Sequence, residues 1–219
     1  MPEPRPHSEP RPYHPVVWPS GVHRRLSPFP GSLQTDLVEL LEQRQTRRAF
    51  GTAATEEDLG SFLWLACRNR SLRPGLFGAP QESRPHPSAG GMHPVHVLAA
   101  RAGEPWFRYD PIEHSLVELP GTSSAARQAR VMAGELMPLH EGVLLALVAE
   151  PGKTSAKYEN HESLVWRDAG VVLGYMSCVA EAMQLSFCPL GLLGDAAIGV
   201  TTTAPLQLIP AGLAVLGRP

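Results

Sequence analysis

Apolar positions along the chain repeat with a helical period, then a strand period, then a helical one again. Leu37, Leu40 and Leu41 fall on one helical face and lead into Arg44-Gln45-Thr46-Arg47-Arg48-Ala49-Phe50. After Gly51, Thr55-Glu56-Glu57-Asp58 resembles a capping box, and Leu59, Phe62, Leu63, Ala66 and Cys67 make one apolar face of the helix it would start. A polar, Gly- and Pro-containing stretch over 70–85 predicts a loop. The pattern then predicts strands over 95–100, 106–109 and 116–119. Asp110-Pro111 turns the last two into an antiparallel hairpin. Residues 123–132 are predicted helical, and 142–149 form a strand buried on both faces. Residues 168–183 predict a long helix apolar almost all round, hence buried on every side, and 213–216 a closing strand. In a chain this size such a helix points to a subunit interface, where Ala169, Gly170, Gly174 and Ala180 allow close approach. The order of elements gives an α+β fold.

Residues 1–30 do not fit either period. Proline interrupts every helix there, so the segment predicts an extended N-terminal arm ahead of a single domain over 31–219. Tyr13, Val16, Val17 and Trp18 could pack on the body or on a partner subunit, and a flexible tail suits the first dozen residues equally well.

Composition narrows the picture. With 43% apolar and 18% charged residues the chain has the make-up of a globular protein. A net charge of −2 gives no electrostatic footprint for nucleic acid. No apolar run reaches the roughly 18 to 20 residues of a membrane span, and the N-terminus lacks the apolar segment of a secretion signal. Cys67, Cys178 and Cys188 leave one thiol over in any disulfide scheme. A cytoplasmic protein with buried thiols is expected.

Three stretches carry candidate chemistry. In Pro87-Ser88-Ala89-Gly90-Gly91-Met92-His93-Pro94, paired glycines beside small residues let backbone lie against a flat or anionic ligand, and prolines stiffen both flanks. An ordinary tight turn would use the same residues. Arg44 and Arg48 offer guanidinium forks suited to phosphate or carbonyl-bearing rings, with Thr46 as a hydroxyl donor; a solvated basic turn is the alternative. Lys157-Tyr158 is a possible acid/base pair or a surface dipeptide. His93, His96, His114, His140 and His161 share no ligand spacing with Asp, Glu or Cys, so no metal site is expected. The G-x-S-x-G elbow and both glycine-rich nucleotide motifs, G-x-x-x-x-G-K-[ST] and G-x-G-x-x-G, are missing.

Together these stretches resemble the nitroreductase-like flavin oxidoreductases, and within them the SagB-type branch, which oxidises azoline rings in ribosomal peptides. Arg44 to Phe50 is similar to the family's opening Arg-x-Ser-x-[Arg/Lys]-x-Phe element. Arg84-Pro85-His86-Pro87-Ser88-Ala89-Gly90 is similar to the branch's Arg-x-x-Pro-Ser-Ala-Gly loop, and Trp106 to Asp110 with His114-Ser115-Leu116 to its hairpin. Lys157-Tyr158 resembles the pair assigned to proton transfer, and Arg167-Asp168-Ala169-Gly170 the start of the family's central helix. The resemblance implies a nitroreductase-like fold, an antiparallel-rich central sheet flanked by helices, and a homodimer with FMN between subunits. Arg44, Gln45, Thr46, Arg48, Pro87, Ser88, Ala89, Gly90 and Arg218 would contact FMN, and Lys157 with Tyr158 would be catalytic. The implied activity is hydride transfer between flavin and a small-molecule or peptide-derived substrate, with NADH or NADPH as a possible electron donor. Thr46, Gln45 and Trp166 depart from the usual serine, arginine or histidine, and tyrosine of the family. Two alternatives keep the fold: a weakly active flavin-binding scaffold acting through a partner, and an enzyme that consumes flavin itself.

Overall fold

The computed structural model describes residues 2–75, 80–139, 141–195 and 207–219. In chain order the elements are β1 (Arg5–Pro6), β2 (His23–Arg25), α1 (Leu37–Gln43), α2 (Glu56–Cys67), β3 (Ser71–Arg73), β4 (Gln81–Ser83), β5 (Val95–Ala100), β6 (Phe107–Asp110) and β7 (Ser115–Glu118). They continue as α3 (Ser123–Leu136), β8 (Val143–Ala149), α4 (Pro151–Ser155), β9 (Tyr158–Glu159), α5 (Glu162–Ala182), β10 (Ser186–Leu190) and β11 (Ile209–Gly217). Seven strands form one sheet in the order β10-β11-β8-β5-β6-β7-β2, with every neighbouring pair antiparallel. This is the expected α+β architecture, an antiparallel central sheet flanked by helices.

Alternation along the central strands builds two cores. Val143, Leu145, Leu147 and Ala149 of β8 face α2 and α5, whereas Leu144, Ala146 and Val148 face α3. The uninterrupted apolar run of β8 is therefore a strand covered on both faces, as the sequence suggests. The capping box is present: Thr55 Oγ1 accepts from the Asp58 N–H at 3.1 Å, and Asp58 Oδ2 accepts from the Thr55 N–H at 2.8 Å.

Several boundaries move. β6 and β7 lie about one residue from their expected positions, and α3 runs to Leu136. The expected loop over 70–85 contains the β3–β4 hairpin. β10 escapes prediction because Pro189 interrupts it; it is an edge strand, where a missing N–H is tolerated. α5 starts at Glu162, and within one chain it is not buried on every side. Val165, Asp168, Ala169, Val172, Met176 and Ala180 form one buried stripe, while Trp166 and Tyr175 remain 41% and 39% exposed on the other side. Glycines and small residues inflate the apolar count of a helix without requiring that it be covered. The arm is not loose: β1 pairs with β9, β2 pairs with β7, and Val16 and Leu26 are buried.

Candidate functional site

The loop after Pro87 is fixed from the start of α5. Ser88 Oγ donates to Asp168 Oδ2 at 2.5 Å and accepts from the His93 N–H at 2.8 Å. The Ala89 N–H donates to Asp168 Oδ1 at 3.0 Å. Burial raises the Asp168 pKa, and these two donors oppose the rise. The chain then makes a single 3-10 turn over Ala89–Gly91, with Gly90 and Gly91 left-handed at φ +62° and +70°. Side chains close over both glycines. A methyl at Gly90 would lie 2.7 Å from Lys157 Cδ, 2.9 Å from Lys157 Nζ and 2.9 Å from the Tyr158 hydroxyl. Lys157 Nζ donates to the Gly90 carbonyl at 3.2 Å. Two stretches far apart in sequence, Ser88-Ala89-Gly90 and Lys157-Tyr158, thus meet in space.

Beneath them lies a charged layer. Glu82 pairs with Arg84 at 2.6 Å and with Lys153 at 3.4 Å, and all three side chains are largely buried. Despite the desolvation that opposes it, Arg84 and Lys153 hold the Glu82 carboxyl down at about 2. His86 and His93 stack edge to face at 5.0 Å; burial and then Arg84 push them down to about 4 and about 3, so both are neutral at pH 7. A cleft of about 320 Å³ opens here, lined by Arg70, Arg73, Gln81, His86, Ser88 and His93 among others.

The arginine stretch sits at the other end of α5. Arg44 caps α1, and its successors run on without regular structure. Arg47 is committed to Glu181, with its Nε at 3.3 Å, and its N–H donates to the Phe187 carbonyl at 3.2 Å. The Gln45 N–H reaches Glu181 Oε2 at 3.4 Å. Among the described residues Arg44 and Arg48 have no carboxylate partner. Gln45, Thr46 and Arg48 are exposed, and Arg48 neighbours the Cys188 thiol, whose pKa burial raises. A cleft of about 490 Å³ runs between α1, Arg47, Glu181 and Pro219. Arg218 grips Asp58 at 2.7 and 3.0 Å, tying the end of β11 to the start of α2, so a phosphate would have to compete for that guanidinium.

Within one chain the candidate residues therefore form two groups. Asp168 and Glu181 mark their positions on α5, roughly 20 Å apart at about 1.5 Å per residue. No three His, Cys, Asp or Glu converge as metal ligands among the described residues, and no described helix is long and apolar enough to cross a membrane.

The family model for nitroreductases matches residues 41–217. The chain belongs to the nitroreductase family. That membership makes it a flavin-dependent oxidoreductase in general type. Solved structures agree on the fold. A protein from Ralstonia eutropha JMP134 described as a nitroreductase is 22% identical, covers 100% of this chain and 98% of its own, and has a TM-score of 0.70. A chain of the Escherichia coli microcin synthetase McbBCD complex, solved with truncated pro-MccB17 bound, is 17% identical over 87% of this chain and 76% of its own, with a TM-score of 0.60. A nitroreductase from Desulfovibrio desulfuricans in complex with FMN is 17% identical over 85% of this chain and 87% of its own, with a TM-score of 0.54. A search among curated proteins returned no match.

Sequence reasoning missed the parts of this nitroreductase-family site that hold it together. Glu82 and Lys153 lie in stretches with no motif, and only the fold brings them together with Arg84. Asp168 stands in a recognisable stretch, yet its partner Ser88 is eighty positions away.

Proposed function

We propose that this chain binds FMN and exchanges a hydride between the flavin and a small-molecule or peptide-derived substrate, with Lys157 and Tyr158 moving the accompanying proton. The observation that carries the reading is the convergence of Lys157 Nζ and the Tyr158 hydroxyl on Gly90, whose missing Cβ leaves the room those two side chains occupy. Bound FMN would supply a hydride carrier, a role that side chains do not fill. Arg44, half-buried, and Arg48, exposed, have no carboxylate partner among the described residues and fit a phosphate and the carbonyl edge of a flavin, with Thr46 and Gln45 as further donors. Pro87, Ser88, Ala89 and Gly90 offer a backbone held by Asp168, so donors and carbonyls are fixed before a ligand arrives. Arg218 is a weaker candidate because Asp58 already occupies it.

The two groups at opposite ends of α5 favour a homodimer. An antiparallel partner would bring the arginine stretch of one chain toward the Ser88 loop of the other. The likeness to a chain of the McbBCD complex, together with Lys157-Tyr158, supports the SagB-type, azoline-oxidising reading of the substrate. NADH or NADPH as the electron donor is part of the same proposal.

The test is the visible spectrum of purified protein with mass spectrometry of the released chromophore. FMN release is expected; Arg44→Ala with Arg48→Ala should lower flavin stoichiometry, whereas Lys157→Ala should keep the flavin and cut turnover about 10²-fold. A colourless protein that also refuses added FMN would sink the proposal.

A further inference from the structure

Lys157 and Tyr158 lie on a segment with little support of its own. α4 has five residues and β9 two, and β9 belongs to no sheet except the two-stranded one it forms with β1. The support comes from the N-terminal arm. Arg5 pairs with Glu159 and Pro6 with Tyr158. The His7 N–H donates to the Lys157 carbonyl at 2.9 Å, and the Arg11 N–H to the Ala156 carbonyl at 3.0 Å. Asn160 Nδ2 donates to the Glu3 carbonyl at 3.1 Å. The arm thus bonds to the chain on both sides of Lys157-Tyr158.

Its far end is anchored in the body. Tyr13 lies over Gly152, where a methyl would collide with its ring, and its hydroxyl donates to Glu150. The Val16 N–H donates to the same carboxylate at 2.6 Å, and His96 Nε2 meets its other oxygen at 2.7 Å. Glu150 is 1% exposed and its pKa is held below the usual range by these bonds, so at neutral pH it stays charged and keeps both arm donors. Pro4, Pro6, Pro10, Pro12 and Pro15 leave few donors to satisfy and little chain entropy to lose, which suits a strap and not a core.

We propose that the arm is a built-in strap whose backbone N–H groups at residues 7 and 11 position Lys157 and Tyr158 against the Ser88-Ala89-Gly90 loop. His7 and Arg11 are positioning residues, and the inference rests on the proton-transfer reading above. Functional groups on short loops depend on a rigid scaffold, and a misplacement of about 1 Å is worth on the order of 10²-fold in rate.

A pair of full-length variants isolates the backbone donors. His7→Pro with Arg11→Pro removes both N–H groups, whereas His7→Ala with Arg11→Ala removes the same side chains and keeps them. Two readouts are taken on FMN-loaded protein: hydrogen–deuterium exchange over residues 156–160, and, after the flavin is reduced with one equivalent of dithionite, single-turnover transfer of its two electrons to tetramethyl-1,4-benzoquinone, which takes up two protons to give the hydroquinone as the flavin is reoxidised. The proline pair should exchange at least about tenfold faster at 156–160 than the alanine pair, with β8 unchanged and flavin content equal. Its turnover should fall about tenfold or more below the alanine pair, and by less than about twofold when Lys157→Ala is already present, because both act through one group. Equal exchange in the two pairs, or losses that multiply on the Lys157→Ala background, would overturn the strap. Full turnover by Lys157→Ala alone would instead overturn the reading of Lys157, and exchange would still report on the strap.

Discussion

Gly90 concentrates the constraints on the site. Its φ of +62° is one that L side chains rarely adopt, and the space above it is filled by Lys157 and Tyr158. Gly90→Ala should lose about 1–2 kcal/mol to the left-handed backbone alone, with a further loss from displacing the lysine. Denaturant midpoints would show the destabilisation. Acylation of Lys157 by a small anhydride, read by mass spectrometry, should speed up as Nζ leaves the Gly90 carbonyl; unchanged stability and unchanged labelling would mean that the two side chains give way freely. Ser88 is constrained differently, with its hydroxyl both donating to Asp168 and accepting from His93. Alanine there would fit the space and lose both bonds.

Between elements, the charged layer sets the response to acid. Glu82 on β4 joins Arg84 to Lys153 on α4, and His86 and His93 are buried beside them. Both histidines have folded pKa values below their ordinary 6.5, near 4 and 3, and Glu82 lies near 2 against an ordinary 4.5. Below those ordinary values the unfolded chain binds more protons than the folded one, so stability falls with pH. The decline should begin near pH 6.5 from the histidines, gain the Glu82 contribution below about pH 4.5, and continue toward pH 2. Urea midpoints at pH 7.5, 5.5 and 4.5 should drop in that order. A flat profile from 7.5 to 5.5 would mean that the histidines are not buried neutral. Glu82→Gln would leave two buried cations with carbonyl contacts and no carboxylate partner among the described residues, a loss of about 3–5 kcal/mol at neutral pH if the layer stays dry.

At the scale of the whole molecule, one chain leaves apolar surface uncovered around α1 and α5. α1 has no buried residue, with Leu37, Val38 and Leu41 at 66%, 68% and 56% exposed, and α5 adds Trp166 and Tyr175 beside Gly170 and Gly174, where an added methyl would meet nothing within 4 Å beyond the helix itself among the described residues. Contiguous patches of this kind mark contact surfaces. The proposed dimer predicts a mass of twice 23.7 kDa in solution. Leu37→Glu with Leu41→Glu should shift the chain to monomer and release its flavin, because the arginine stretch and the Ser88 loop lie too far apart within one chain. A wild-type monomer that holds FMN stoichiometrically would refute this arrangement. Light scattering with absorbance detection answers both points in one run.

The sequence by itself determined the periodic elements and the chemistry that local spacing encodes. β8 announced its burial on two faces through an unbroken apolar run, α2 its start through Thr55 and Asp58, and the Ser88-Ala89-Gly90 stretch its close turn through residues with little or no side chain. Tertiary structure alone decided what those stretches meet. Lys157-Tyr158 is an unremarkable dipeptide until the fold sets it over Gly90, and α5 looks covered all round until its glycines and aromatics are seen to face outward. The arm shows the same division. Its prolines told that it cannot form a core, but the partners of the His7 and Arg11 N–H groups lie about 150 residues away, and long-range hydrogen bonds leave no periodic trace in the chain that makes them.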